Sequence, residues 1–315
     1  MLTVIFATRN GMRTLPAVFD AYLRLEAPDG GWKLVVVDNS STDGSRECIS
    51  SFQDRLPLTY LYEETLGKNV ALNAAVAHIE GDLVVLTDDD VFPRPDWLVR
   101  MRSVANNQPA YSIFGGVVLP RWEINPPDWV INWVLAEPVF TLTPPSLREG
   151  SIDHHFVVGP NMAVRASVFS DGFRFDPTIG PQGANYAMGS ETEFVKRLGR
   201  HGFAAWHAPD AKVEHFIRDY QMTSSWILRR AIRFGRGLYR LGLMEGPAAI
   251  TTWLGIPRHL FRDILVQTAQ LLKGFLTLNL ETIFRARWEL NVLRGQLIEA
   301  HNARDDAVTT KPRSR

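Results

Sequence analysis

The chain has 315 residues, 45% hydrophobic and 22% charged, with 34 basic side chains against 34 acidic ones. Such values are ordinary for a globular protein of one large domain or two modest ones, and zero formal charge excludes whole-molecule attraction to nucleic acid. Cys48 is the only cysteine, which excludes an intrachain disulfide and fits a reducing compartment.

The opening Met1-Leu2-Thr3-Val4-Ile5-Phe6-Ala7 has no basic region ahead of its apolar stretch. No export signal is therefore read there, and the cytoplasm is the expected location. Residues 2–7, 33–37, 58–62 and 83–86 read as strands, and 15–25, 45–52 and 70–79 space their apolar positions as helices do. The alternation predicts an α/β domain with a largely parallel sheet, whose ligands sit beyond the carboxyl ends of the strands. The segments Thr8-Arg9-Asn10, Asp38-Asn39-Ser40-Ser41 and Asp88-Asp89-Asp90 each stand at such an end, so they should converge on one cleft.

Residues 120–150 carry Pro120, Pro126, Pro127, Pro138, Pro144 and Pro145 among Trp122, Trp129 and Trp133. This density of proline predicts a long functional loop. Its tryptophans fit packing better than exposed stacking on a sugar or a membrane. Residues 153–168 resume strand-like and helical patterning, 190–200 read as a helix, and the chain beyond about Ile217 reads as helical throughout. No run reaches the roughly 18 apolar residues of a membrane span; the nearest, 264–280, is broken by Lys273. The amphipathic, arginine-bearing pattern fits equally a helix lying in a membrane interface and a hairpin packed on the rest of the chain or another subunit. Residues 301–315 lose the apolar period and are expected to be a disordered tail.

Three adjacent carboxylates after the buried run Leu83-Val84-Val85-Leu86 repel one another. A divalent metal or a change of protonation relieves the repulsion, while a turn or helix cap before Pro93 is the simpler alternative. Asp38 closes another buried run and can accept the imide N–H of uracil or thymine, or a ribose hydroxyl. Asp43 reads as the cap of the following helix. Lys68 either neutralises a diphosphate as a point charge or is simply solvated.

Four motifs in order, Asp38-Asn39-Ser40-Ser41-Thr42-Asp43-Gly44-Ser45, Asp88-Asp89-Asp90, Gly159-Pro160-Asn161-Met162-Ala163 and Gly189-Ser190-Glu191-Thr192-Glu193-Phe194, resemble those of family-two inverting glycosyltransferases over about residues 1–216. The resemblance implies a GT-A fold, a Rossmann-like mixed and mainly parallel sheet flanked by helices. It also implies a nucleotide-diphospho-sugar donor, a divalent metal (Mn²⁺ or Mg²⁺) and inversion at the anomeric carbon. On the same basis Thr8 and Arg9 flank the base, Asp38 recognises it, Asp88 faces the ribose and Asp89 orients its neighbours. Asp90 is the implied metal ligand and His215 completes the metal site. Glu191 occupies the place of the general base, usually an aspartate in the family, and Glu193 is the next candidate.

Two departures bear on this expectation. Many members carry an arginine before the asparagine of the third helix, where this chain has Leu72 before Asn73; Lys68 or the arginines between Arg229 and Arg240 would then supply charge to the diphosphate. The Gln-x-x-Arg-Trp signature of processive synthases is also missing from Gln221-Met222-Thr223-Ser224-Ser225-Trp226. Single addition to a glycan or lipid-linked glycan, in cell-surface or exopolysaccharide assembly and with a UDP-sugar favoured, is the expected function. A polyprenyl-phosphate acceptor and a catalytically silent nucleotide-sugar-binding subunit are the alternatives. The expected organisation is a catalytic domain over 1–216, a helical extension over 217–300 contacting the inner face of the plasma membrane or a partner, and the tail. Oligomeric state is left open.

Overall fold

The structure is a computed structural model and describes residues 1–182, 186–244, 252–253 and 256–309. In chain order the first elements are β1 (Leu2–Thr8), α1 (Leu15–Tyr22), β2 (Trp32–Asp38), α2 (Ser45–Ser50), β3 (Leu58–Tyr62), α3 (Lys68–Ala75), β4 (Leu83–Leu86), β5 (Val91–Pro93) and α4 (Trp97–Asn107). There follow β6 (Ile113–Trp122), α5 (Asp128–Trp133), α6 (Ala136–Phe140), β7 (Gly150–Ile152), β8 (Met162–Arg165), α7 (Ala166–Ser170), α8 (Ser190–Arg200) and β9 (Ala205–Ile217). The last are α9 (Ser224–Met244), the short strands β10 (Thr252–Trp253) and β11 (Ile256–Pro257), α10 (Arg258–Leu276) and α11 (Leu280–Thr309).

Nine strands form one sheet in the order β3-β2-β1-β4-β8-β6-β9-β5, with β7 on β9. The four strands read from the sequence, β1 to β4, pair in parallel, and β6 and β9 run in the same sense. Strands β5, β7 and β8 run against them, so the sheet is mixed but mainly parallel. Helix α3 presents Ala71, Leu72 and Ala75 to the core formed by Ile5, Val35, Val37 and Leu86. Leu72, where the resemblance leads an arginine to be expected, is thus a core residue. Phe175 and Phe194 stack at 4.2 Å between ring centroids in the same core.

The chain divides into two compact units. The first comprises Met1–Glu123, Phe140–Gln182 and Ser190–Ile217, and holds the nine-stranded sheet. The second comprises Ile124–Val139, Gly183–Gly189 and Arg218–Arg315. The proline-rich stretch is not one irregular loop: β6 passes through Pro120, and α5 and α6 follow. Its tryptophans pack, Trp122 edge-on to Phe140 at 5.3 Å, and Trp129 and Trp133 against Phe284 of α11.

In the second unit α9 and α11 approach backbone to backbone. A Cβ on Gly235 would lie 1.9 Å from the Val292 carbonyl oxygen, and one on Gly295 would lie 2.1 Å from that of Ile232. Glu299, buried on α11, accepts from Nε of Arg236 at 2.7 Å and of Arg240 at 2.5 Å. One expectation is corrected here: the β10–β11 pair interrupts the helices beyond Ile217. Helix α11 runs to Thr309, into the stretch read as a tail, and residues 310–315 lie outside the described residues.

Candidate active site

The carboxyl ends of β1, β2 and β3 are in register, Thr8 beside Asp38 and Asp38 beside Tyr62. Asp38 is buried, and its carboxylate accepts from the Ser41 N–H at 2.9 Å and the Tyr60 hydroxyl at 3.2 Å. Arg9, the next residue after β1, is exposed. The two loops that leave β1 and β2 interlock: the Ser41 hydroxyl accepts from the Asn10 N–H at 2.9 Å, and the Asn10 side-chain oxygen accepts from the Thr42 N–H at 2.8 Å. Asp43 serves this interlock, accepting from the Met12 N–H at 3.0 Å as well as from the Ser45 N–H and hydroxyl. The N-cap position of α2 is Gly44, with φ +85°.

The acidic triplet splits three ways. Asp88 is ion-paired with the Lys68 ammonium, and the same ammonium lies 2.5 Å from Oε1 of Glu191. Lys68 is the first residue of α3 and Glu191 the second of α8, so two helix N-termini, each favouring negative charge, meet around one half-buried cation. Burial alone would lower the lysine, but Asp88 and Glu191 outweigh it and raise the ammonium above its ordinary value. Burial dominates at Asp88 and raises its carboxyl, with Lys68 opposing. Glu191 is also pushed upward by burial, yet the Lys68 ammonium and the Ser190 hydroxyl, which donates to Oε2 at 2.6 Å, leave it below its ordinary range.

Asp89 turns the other way and accepts from the Thr8 hydroxyl at 2.5 Å. Gly11 permits this contact, since a Cβ there would meet Thr8 Oγ1 at 2.3 Å and Asp89 Oδ2 at 2.7 Å. Asp90 faces His215, with Oδ1 3.4 Å from Nε2. Strands β5 and β9 set this pair by placing Val91 opposite His215, and the Phe216 N–H donates to the Asp90 carbonyl at 2.9 Å. His215 Nδ1 donates to the Phe140 carbonyl at 2.7 Å, which directs the Nε2 lone pair of the neutral ring at a carboxylate oxygen. Two acceptors facing each other require a cation or a proton between them. Burial lowers the His215 imidazole, but Asp90 outweighs it and raises the ring above its ordinary value. Asp90 and His215 therefore have the chemistry to hold a divalent cation, and no cluster of three or more such ligands occurs among the described residues.

The sequence-predicted residues of the first unit thus lie at one sheet edge, with Lys68, Asp88 and Glu191 in direct contact and Asp90 against His215. Glu193 does not share the role of Glu191: it is buried and held by Arg197 at 2.6 and 3.2 Å. Arg236 and Arg240, two of the expected diphosphate cations, are committed to Glu299 in the second unit. The Gly-Pro-Asn motif gains a physical account. A Cβ on Gly159 would lie 2.6 Å from the Glu191 carboxylate carbon, so only glycine lets Glu191 occupy its position. Asn161 is fully buried and accepts from the Trp97 indole at 2.9 Å while donating to the carbonyls of Val117 at 3.0 Å and Ala211 at 2.8 Å. Sequence reasoning did not single out Ser190 or Phe140 as partners of Glu191 and His215. One adjoins its partner in the chain, whereas the other meets His215 only through the fold.

The sequence profile of glycosyl transferase family 2 matches residues 3–173. The chain belongs to glycosyl transferase family 2. Glycosyltransferase AglE of Haloferax volcanii is 22% identical to this family 2 chain over 282 residues, covering 85% of this chain and 86% of the relative. The glucosyl-dolichyl phosphate glucuronosyltransferase of the same organism is 25% identical over 210 residues, 63% of this chain and 64% of that one. Among solved structures, the mannosyltransferase PcManGT from Pyrobaculum calidifontis, in complex with GDP-Man and Mn²⁺, superimposes with a TM-score of 0.63 at 19% identity. The match covers 95% of this chain and 86% of that one. The fold of this family 2 transferase is GT-A.

Proposed function

We propose that the chain transfers a single sugar from a nucleotide-diphospho-sugar to a hydroxyl of a glycan, free or lipid-linked, with inversion at the anomeric carbon. The observation that carries this reading is the half-buried cluster of Glu191, Lys68 and Asp88, which joins a proton acceptor to a candidate donor anchor in one cleft. Glu191 takes the proton of the acceptor hydroxyl as that oxygen bonds to the anomeric carbon. The bond from that carbon to the diphosphate oxygen breaks on the opposite face, and its electron pair leaves with the nucleoside diphosphate. Lys68 has a second part. A carboxylate held by an ammonium is a weak base, so the arriving diphosphate must draw Lys68 toward itself before Glu191 can work.

Asp38 accepts the imide N–H of a pyrimidine base flanked by Thr8 and Arg9, Asp88 faces the ribose, and Asp89 fixes the Thr8 hydroxyl. This favours a UDP-sugar. Asp90 and His215 would hold Mn²⁺ or Mg²⁺, which when bound offsets charge on the diphosphate. Replacing Glu191 by Gln is the test. Transfer to a hydroxyl acceptor should be lost while donor binding is kept, and a variant that retained most of its turnover would remove the base assignment. A screen of UDP-, GDP- and dTDP-sugars identifies the donor, and Mn²⁺-dependent donor hydrolysis would exclude a silent subunit. The expected setting is cell-surface or exopolysaccharide glycan assembly at the cytoplasmic face.

A second reading makes polyprenyl phosphate itself the acceptor. The ion pair between Lys68 and Glu191 favours it, because a phosphate oxygen is already largely ionised at neutral pH and needs no free base. Glu191→Gln would then leave transfer largely intact, and the product would extract into organic solvent.

A further inference from the structure

Helices α10 and α11 of the second unit are joined by the turn Thr277-Leu278-Asn279. The turn is well defined. The Asn279 N–H donates to the Gly274 carbonyl at 2.9 Å, the Asn279 side chain accepts from the Thr282 N–H at 2.9 Å, and a Cβ on Gly274 would touch Ile283 at 2.9 Å. Leu278 has φ +52°, a conformation that costs any residue with a Cβ and normally selects glycine or asparagine. The leucine gains no packing in return, since it is 84% exposed, and its neighbours Leu276 and Leu280 are 86% and 65% exposed. Leu272 and Phe275 in the last turns of α10 are exposed as well.

The same surface continues onto α5. Trp129 and Trp133 meet Phe284, one helical turn beyond Leu280, Arg285 donates to the Asn132 carbonyl at 3.1 Å, and Ile131 is exposed beside them. A rounded hairpin end carrying large aliphatic side chains, with half-buried tryptophans at its flank, has the layout of an element that enters the boundary between lipid headgroups and acyl chains. Charge agrees. Between Arg258 and Arg287 five basic residues face two acidic ones; Asp263 and Glu281 pair with Arg262 and Arg285, which leaves an excess of three basic residues, and of these Lys273 stands exposed beside the turn. No described helix is long and apolar enough to cross a membrane.

We infer that the α10–α11 turn, with the exposed edge of α5, docks the second unit on a lipid surface rich in anionic headgroups. Its apolar side chains enter the interface, while Lys273 and its basic neighbours meet the headgroups. The inference does not rest on the transferase reading, and its test reads binding alone. The full-length chain is floated with vesicles of phosphatidylcholine containing phosphatidylglycerol, and with vesicles of phosphatidylcholine only. The wild-type chain should rise with the anionic vesicles and rise less with the neutral ones. Leu276→Asp with Leu278→Asp should lower the bound fraction at least about tenfold. Leu278→Asn separates docking from folding: relief of the left-handed strain should raise the melting temperature while vesicle binding weakens, two shifts of opposite sign that a merely structural residue would not give.

A wild-type chain that stays with the free protein on both vesicle types overturns the inference. So does an aspartate pair that binds as well as the wild type. A dimer in sedimentation that the same pair dissolves, without vesicle binding, would give this face to a second copy of the chain instead.

Discussion

Lys68 Nζ lies 2.5 Å from Glu191 Oε1, so the carboxylate assigned to take a proton is already paired with a cation before any substrate is present. Glu191→Gln keeps the shape and removes the basicity. With a hydroxyl acceptor it should lower kcat by about 10² to 10⁴-fold, and calorimetric donor affinity should stay within about a factor of three, since a change of under 1 kcal/mol is expected for a group that does not touch the donor.

Lys68→Met leaves Glu191 half-buried but without its ammonium. Burial raises a carboxyl and the cation lowers it, so removing the cation must move Glu191 upward. Activity that depends on ionised Glu191 is lost as pH falls through its pKa, and the acid limb of the pH–rate profile should therefore shift toward neutral pH. Donor KM should rise about tenfold or more, the usual consequence of losing one charge-assisted contact.

Gly159→Ala introduces a methyl 2.6 Å from the Glu191 carboxylate carbon. The helix end or the carboxylate must give way, at a cost of about 1–3 kcal/mol of stability, read in a denaturant titration. Misplacement of the base should lower kcat by about a hundredfold, with donor affinity retained.

Asp90→Asn and His215→Ala each remove one donor from a pair that supplies only two. The Mn²⁺ concentration for half-maximal turnover should rise at least about tenfold in either variant, and chelation should abolish turnover of the parent chain reversibly.

Asn161→Ala is a stability variant. It orphans the Trp97 indole N–H and the carbonyls of Val117 and Ala211, and a loss of about 3–5 kcal/mol is expected, seen as a lower denaturant midpoint.

Much of the first unit was legible because its information is local. A run such as Leu83–Leu86 is buried along its whole length, and the residue after such a run must stand at the sheet edge, which is how Asp38 and Asp88 could be located. Helix α8 was legible to the residue at both ends. What pattern could not show was pairing across long separations. Nothing near Lys68 in the chain announces Glu191, and nothing near Asp43 announces Met12, so one reads as solvated and the other as a helix cap until the fold brings their partners in. The departure at Leu72 was visible, but its packing was not: the position faces the core. The helices beyond Ile217 were legible as helices, while the hold of Arg236 and Arg240 on Glu299 was not, a contact made between helices rather than along one.

The pairing of β5 with β9 has a consequence for ion choice. Because side chains alternate along a strand, a slip of one residue between these two would bring Glu214 or Phe216 opposite Val91 and turn His215 to the far face. With Glu214 inward the site would consist of oxygen alone and suit harder ions such as Ca²⁺; with Phe216 inward it would keep a single donor. On the proposed metal role of Asp90 and His215, ion preference would therefore depend on a hydrogen-bond ladder of three residue pairs, and a bulge engineered at Phe92 should alter it without touching either residue.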